Sequence, residues 1–582
     1  MREYSVPVLV DVPASAGLAD TVFRRAEQQP GAIVMRRKVG SGWPIVTAAE
    51  FRDQVAAVAK GLIAAGVGHG DRVALMSRTR YEWTLVDYAI WAVGGVTVPI
   101  YETSSVEQIR WILRDSEAKA AFVELDGHEE ALREAAPELA PVWRVDATPE
   151  SGDVTDSDLD ERRKRVGSAD LATIVYTSGT TGRPKGCRLT HDNLLFTALN
   201  VLRGPLEPLF AGKEPAALLF LPLAHSFARM IQVVLFEAGA VIAHTPNMKN
   251  VAPDLQDFKP TFLLGVPRVF EKVYNAAEQK AIAGGKGKIF ARAVDVAVAW
   301  SKAESSGGAP LGLRLRRAVF DRLVYAKLRA ATGGRLSAAV SGGSALGDRL
   351  GHFFRGVGIE VFEGYGLTET SAPLSVNMPG ANKIGTVGKP LPGVTLRIGD
   401  DGEILAKGRN IFPGYWNNDE ATDEVIDPDG WFHTGDVGKL DADGYLSITG
   451  RKKEILVTAA GKNVAPGPLE DALRAHPLIS QAMVVGDGKP FVAALITLDP
   501  EAVPAGSTID GLRDDPAVRA QIQAAVDRAN LTVSHPEQIK KFTILGGDIT
   551  EESGHLTPTL KVKRSLIMRD FAKEIDELYE GH

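Results

Sequence analysis

The stretch Thr173–Gly186, TIVYTSGTTGRPKG, decides how the rest of the chain is read. It opens as a β-branched and aromatic run, the composition of a strand. At Thr177 it turns into a loop of hydroxyls and glycines, Thr177, Ser178, Gly179, Thr180, Thr181 and Gly182, and then presents Lys185. Glycines let backbone N–H groups come close to an anion, hydroxyls donate hydrogen bonds, and a lysine adds positive charge. That chemistry suits a polyphosphate. The spacing is not that of a Walker loop, which needs Gly-x-x-x-x-Gly-Lys-Ser/Thr. A Ser/Gly surface turn accounts for any one of these residues but not for the whole string.

Working outward, the residues before this loop alternate strands with helices. Thr47-x-x-Glu50 reads as a capping box ahead of a helix with apolar residues at Phe51, Val55, Val58, Leu62 and Ile63. Gly66–Gly70 ends it and Arg72–Met76 reads as a buried strand. Ser104-x-x-Glu107 opens a second such unit, followed by a strand at Ala120–Leu125. Alternation of this kind predicts parallel sheets covered on both faces. The polar residues 148–168 read as a surface connection. From about Gly402 the texture changes to short strands and tight turns (DGEI, DPDG, DADG), and from Arg451 to a compact C-terminal unit.

Composition bounds the function. The chain has 582 residues, about four units at roughly 150 residues each. Apolar residues make up 45% and charged residues 24%, as in an ordinary globular protein. The 66 basic and 73 acidic residues leave a net charge of −7, which argues against a dedicated nucleic-acid binder. The single cysteine, Cys187, forbids an intrachain disulfide and a thiolate zinc cluster, and it reads as a packing residue. The 11 histidines show no zinc-ligand spacing. The longest nearly uncharged stretch, Tyr88–Ile100, is too short to span a bilayer. A soluble, cytoplasmic protein is the expectation, and peripheral contact with a membrane or pairing as a homodimer is compatible with it.

Thr177–Gly186 resembles, throughout, the phosphate loop of the adenylate-forming superfamily, which includes acyl-CoA synthetases, peptide-synthetase adenylation domains and luciferase. Further segments resemble that family's motifs in the same order. Gly342, Gly343 and Ser344 follow Ser341 as in its adenine-side turn. Gly364, Tyr365, Gly366, Leu367, Thr368 and Glu369 match its Tyr-Gly-x-Thr-Glu signature. Trp431–Asp436 matches its ribose segment, and Gly450-Arg451-Lys452-Lys453 falls where the family changes domain.

The resemblance implies roles that the residue chemistry can serve. Glu369 is a hard oxygen ligand suited to Mg²⁺ beside phosphates. Thr368 can donate to the α-phosphate, Tyr365 offers a flat face to adenine, and Asp436 with Arg451 can hold the ribose. Lys453 is the implied hinge, and Gly461 lies in the loop Ala459–Asn463 implied to reach the thiol entrance. The implied fold is α/β: a large domain over 1–450, built from two parallel-type subdomains and a β-rich part at about 385–450, then a small mobile α+β domain over 451–582. The catalytic lysine aligns with Lys561 in Leu556-Thr557-Pro558-Thr559-Leu560-Lys561-Val562-Lys563-Arg564, which lacks the family's usual Gly before Lys; Lys563 is the rival.

The substrate class rests on other segments. Leu221–Phe227, Gly265–Lys272 and Val98–Thr103 resemble long-chain fatty acyl-CoA synthetases, with His225 in the place of a gate beside the acyl carboxylate and Gly265 a plausible wall of an acyl tunnel. The implied activity joins a fatty acid to CoA with ATP, through acyl-AMP. A fatty acyl-AMP ligase serving a carrier protein, and an aryl or medium-chain synthetase, share the same motifs. One helix reads two ways. Arg314, Arg316, Arg317, Arg322, Lys327 and Arg329 accompany an apolar stripe at Leu315, Val319, Leu323 and Ala326. The plain reading is a solvated basic face with its apolar side in the core; the other turns the basic residues to CoA phosphates or an anionic membrane.

Overall fold

Helix Tyr81–Ala92 is buried along its whole length, which is why the sequence around it carries almost no polar pattern. It lies between two sheets, packed with Phe51, Phe236 and Met230 in one core that both sheets share. The computed structural model describes residues 1–177, 183–212, 214–503, 508–557 and 562–580. The first sheet has six strands in the order Val142–Arg144, Ala120–Val123, Arg72–Met76, Val96–Ile100, Leu171–Thr177 and Lys185–Thr190. Its first five strands are parallel and the last is antiparallel to its neighbour. The second sheet has nine strands, with parallel pairing through its middle from Ile33–Arg36 to Glu360–Leu367. Separate apolar clusters cover the outer face of each. In such parallel sheets ligands bind beyond the C-terminal ends of the strands.

The β-rich part is a five-stranded antiparallel sheet: Thr395–Ile398, Glu403–Lys407, Phe432–Leu440 and Leu446–Arg451, with Glu3–Ser5 of the N-terminus added at its edge. That N-terminal strand has no signature of its own in the sequence. Beyond Arg451 the chain forms a strand pair, Leu456–Val457 with Asn463–Val464, and a three-stranded sheet, Ile479–Val485, Val492–Leu498 and Ile539–Ile544, with its own core.

Three local expectations are corrected. The second helix is capped one residue later than read: Ser105 and Gln108 form the reciprocal box and the helix runs Val106–Ser116. The strand after it stops at Val123. Residues 148–168 are not merely a connection but contain helix Asp156–Lys164, capped by Thr155 with Asp158 and holding a single buried apolar residue, Leu159. One apolar side chain in nine leaves no period to detect.

The fourth correction concerns the segment Leu311–Ala331, two α-helical stretches joined by a π-helical turn at Asp321–Tyr325. Its core side is made by Tyr325 with Phe320, Val324 and Leu328. Arg317 turns inward over the Trp300 ring at 4.1 Å and donates to the Gly356 carbonyl. The stripe expected in the core faces outward instead: Leu315 is 61% exposed, Val319 57% and Leu323 52%. Both faces carry apolar residues, so spacing alone did not say which one packs.

Candidate active site

The strands Leu171–Thr177 and Lys185–Thr190 pair in antiparallel register with Thr177 opposite Lys185, on either side of the glycine-rich segment. Ser178, Gly179, Thr180, Thr181 and Gly182 lie outside the described residues. The Lys185 ammonium sits 5.1 Å from the centre of the Tyr415 ring. Tyr415 in turn donates its hydroxyl to Glu369 Oε1 at 2.8 Å. A backbone bridge between Cys187 and Tyr415 fixes this approach. Burial, with Glu369 adding its negative charge, pushes the Cys187 thiol well above its ordinary range, so Cys187 packs and does not act as a nucleophile. Lys185, Tyr415 and Glu369 thus come from three distant segments and meet at one point.

Glu369 and Thr368 lie in a short 3₁₀ turn, Thr368–Thr370, at the end of strand Glu360–Leu367. The chain then doubles back through Ser371 and Ala372, with φ of 54° and 70°. That reversal brings the Ala372 carbonyl to 1.8 Å from where a Cβ on Gly366 would stand, so only glycine fits there. Thr368 Oγ1 lies 3.0 Å from Ser226 Oγ. Ser226 starts helix Ser226–Glu237, and His225 caps it, its Nδ1 accepting from the Phe227 N–H at 3.1 Å. His225 is half-buried, one residue before the Ser226 that meets Thr368.

Gly342 sits over the same helix start: a Cβ there would lie 2.8 Å from the Phe227 ring. Gly343 takes a left-handed φ of 89°, and Ser344 is exposed. The Ser341 hydroxyl just before them is buried and has no hydrogen-bond partner among the described residues. Strand Glu360–Leu367 also carries Gly364 and Tyr365. Tyr365 donates to Asp436 Oδ2 at 2.6 Å, and the Arg451 guanidinium lies 3.3 Å from Asp436 Oδ1. Burial, then the Asp436 charge, pushes the Tyr365 hydroxyl well above its usual range, so it stays protonated and remains a donor.

Beyond Arg451 lie the hinge and loop residues. Lys453 is exposed in the 3₁₀ turn Lys452–Glu454. Gly461, exposed with φ 77°, is in a loop anchored within the C-terminal domain by the Ala459 N–H donating to the Lys489 carbonyl. Lys561 lies outside the described residues. Lys563 precedes helix Arg564–Asp570, and its N–H donates to the His555 carbonyl. Among the described residues, polar contacts between the C-terminal domain and the large domain include Thr103 donating to Glu551 at 2.6 Å and Arg268 donating to Asp499 at 2.9 Å, with Lys452 donating to Asp401 and Glu403 at the junction.

Sequence reasoning missed Tyr415 and Ser226, which orient Glu369 and Thr368. It also missed a buried support behind them. Arg229, one helical turn after Ser226, is 2% exposed, pairs with the fully buried Asp87 and donates to the hydroxyl of Thr173. Thr173 donates to the Thr97 carbonyl, and Thr97 donates to Asp87. The Arg229 guanidinium stands 4.9 Å and 5.4 Å from the rings of Trp91 and Trp83. This network ties the strand that leads into the glycine-rich loop to the helix that Ser226 starts and His225 caps.

Comparison with known proteins places these motifs within a family. Residues 22–416 match the AMP-binding enzyme model and residues 453–582 match the AMP-binding enzyme C-terminal domain, so the chain belongs to the AMP-binding enzyme family. Over the full length of both chains it is 51% identical to the long-chain-fatty-acid–CoA ligase FadD15 of Mycobacterium tuberculosis. It is 30% identical to the human long-chain-fatty-acid–CoA ligase ACSBG1 over 92% of this chain and 82% of that one. Among solved structures, the anthranilate CoA ligase AuaEII in complex with anthranoyl-AMP superposes with a TM-score of 0.74. It is 20% identical, with 98% and 99% of the two chains covered, and it shares the fold.

Proposed function

We propose that this chain is an ATP-dependent long-chain fatty acid–CoA ligase, and that the residues gathered above are its working parts. The observation that carries the proposal is the 51% identity, end to end, with long-chain-fatty-acid–CoA ligases. In the first half-reaction a fatty carboxylate oxygen attacks the α-phosphorus of ATP. The acyl–phosphate bond forms, the bond to the β-phosphate bridging oxygen breaks, and pyrophosphate leaves. In the second, the CoA thiolate attacks the acyl carbonyl carbon and AMP departs.

A carboxylate is already ionised at neutral pH, so the first step needs no general base. Its barrier is the approach of an anion to a polyanion, and this chain answers it with placed charge and donors. Lys185 and the Thr177–Gly182 loop take the leaving pyrophosphate, Thr368 donates to the α-phosphate, and Lys561 neutralises the charge that gathers there. Tyr365 stacks on adenine, Gly342, Gly343 and Ser344 line its edge, and Asp436 accepts from the ribose hydroxyls beside Arg451. His225, fixed as a helix cap, borders the path of the acyl carboxylate. The unpartnered Ser341 hydroxyl is a donor ready for a ligand.

Mg²⁺ fits this site through Glu369. Among the described residues no cluster of three or more acidic, His or Cys side chains could hold a metal alone, so the ion would be shared between Glu369 and phosphate oxygens. Tyr415 holds one Glu369 oxygen and leaves the other for the ion. When bound, Mg²⁺ offsets charge on the triphosphate.

For the thioester step the domain beyond Lys453 turns, Lys561 withdraws, and the loop with Gly461 comes to the pantetheine path. The test is AMP release with and without CoA across carboxylates of increasing length. A ligase of this kind needs CoA for turnover and favours long chains. AMP release independent of CoA overturns the acceptor, and an optimum with aryl or medium-length acids overturns the substrate class.

A further inference from the structure

The outer surface of the segment Leu311–Ala331 is not accounted for by the nucleotide site. On the segment Leu311–Ala331 the exposed apolar residues fall every four positions: Leu311 at 74% exposure, then Leu315, Val319 and Leu323. A spacing of four drifts around an ordinary helix, and the π-helical turn at Asp321–Tyr325 slows that drift, so the row stays on one side. Isolated exposed leucines are normal, but a continuous row over three turns is not.

Charge singles out the same region. Residues 280–330 hold eleven lysines and arginines against three acidic residues, an excess of eight positive charges in a chain whose balance is −7. Two of the three acids are already engaged: Asp321 pairs with Arg329, and Glu304 lies by Arg314. Arg316, Arg322 and Lys327 stand exposed beside the apolar row. Tyr325 donates to the Ala293 carbonyl, which places the start of helix Gly287–Ser305, with exposed Lys288 and Ile289, against the far end of the same segment.

An apolar row flanked by cations on a helix lying along the surface is what binds an anionic bilayer in the interface plane. No helix among the described residues is long and apolar enough to cross a membrane, so contact would be at the surface. We infer that the segment Leu311–Ala331, with its basic flanks, docks this protein onto an anionic lipid surface. The inference stands on surface and charge and does not depend on the proposed activity.

The experiment is co-sedimentation of the full chain with vesicles made from equal parts phosphatidylglycerol and phosphatidylcholine, and with phosphatidylcholine vesicles alone. The unaltered protein binds the anionic vesicles, binds the neutral ones at least about tenfold less, and loses binding as salt is raised. Leu315→Glu/Val319→Glu and, separately, Arg316→Glu/Arg322→Glu each weaken anionic binding at least about tenfold with an unchanged melting temperature. All four side chains are exposed, so folding should not be at stake. Equal binding by the variants, or equal binding to neutral vesicles, overturns the inference. So does a failure of the unaltered protein to bind, or a self-association in sedimentation velocity that the same variants abolish, which would assign the row to a second copy of the chain.

Discussion

Tyr365 donates its hydroxyl to Asp436 at 2.6 Å, joining the end of the nine-stranded sheet to the β-rich sheet just before the chain passes into the C-terminal domain. Arg451, the last residue of the β-rich sheet, holds the other Asp436 oxygen. The carboxylate that would accept the ribose is therefore aligned from both sides before any nucleotide arrives.

Asp436→Ala removes the acceptors of two charge-assisted hydrogen bonds. At about 1.5–3 kcal/mol each, the two together should raise KM for ATP by about 10²-fold or more in adenylation assays. Tyr365→Phe keeps the flat ring and removes only the aligning donor. Its KM should move by less than about threefold while the melting temperature falls, as for the loss of one hydrogen bond worth about 1 kcal/mol. A Tyr365→Phe defect as large as that of Asp436→Ala would mean the hydroxyl itself contacts nucleotide.

Arg229→Met strands Asp87 as an unpaired buried charge, which costs about 3–5 kcal/mol. The melting temperature should drop sharply, and the double change Asp87→Leu/Arg229→Met should recover most of the loss, because a pair replaced by apolar groups is close to neutral. Thermal unfolding of the two single variants and the double variant checks this. Additive losses would show that the pair is not coupled.

How much of this was legible follows from where each interaction's information lies. The phosphate loop and the Tyr-Gly signature could be read because glycines, hydroxyls and a charge sit within a few residues of one another. Arg229 and Asp87 are 142 positions apart, and each alone looks like a polar residue on a helix. Tyr415 has no spacing that marks it; only its bridge to Cys187 places it under Lys185. The segment Leu311–Ala331 carries apolar residues on two faces, and the choice between them belongs to Phe270, Phe290 and Phe353, which pack beneath it from other elements.

Lys561→Ala should slow acyl-AMP formation by about 10²–10³, as for loss of one pre-aligned donor, and leave thioester formation from supplied acyl-AMP nearly unchanged. Lys563→Ala should affect neither by more than a few-fold, since Lys563 precedes helix Arg564–Asp570. Pyrophosphate release and acyl-CoA formation are measured separately. The opposite pattern would assign the catalytic role to Lys563.

Burial pushes the Glu363 carboxyl up to about 7, with Asp348 and Asp471 adding in the same direction and the Leu346 N–H opposing. In the unfolded chain it titrates near 4.5. Between these values the folded state holds more protons than the unfolded state, so this group's contribution to stability falls as pH rises through that window. The ceiling is about 3 kcal/mol. Glu363→Gln keeps an acceptor for Leu346 and cannot ionise. Its melting temperature should exceed that of the unaltered protein at pH ~8, and the gap should close by pH ~5. A gap that does not change with pH would remove Glu363 as the source.

Arg268 joins the domains by donating to Asp499 while it also lies 3.3 Å from Glu271 of its own helix. The pair is largely shielded from solvent and reinforces the Thr103–Glu551 contact. Both hold the C-terminal domain in the orientation that brings Glu551 to Thr103 and Asp499 to Arg268, with the loop around Gly461 exposed. Loosening the latch should therefore act on the two half-reactions in opposite senses. Asp499→Asn removes the charge and keeps the shape, leaving Arg268 to Glu271, so the cost to folding should be small. Acyl-AMP formation should slow by about 10-fold, equivalent to about 1.4 kcal/mol of lost preference for this orientation. Thioester formation from supplied acyl-AMP should hold steady or quicken. Equal slowing of both half-reactions, measured by pyrophosphate release and by acyl-CoA yield, would mean that the contact stabilises the domain without setting its position.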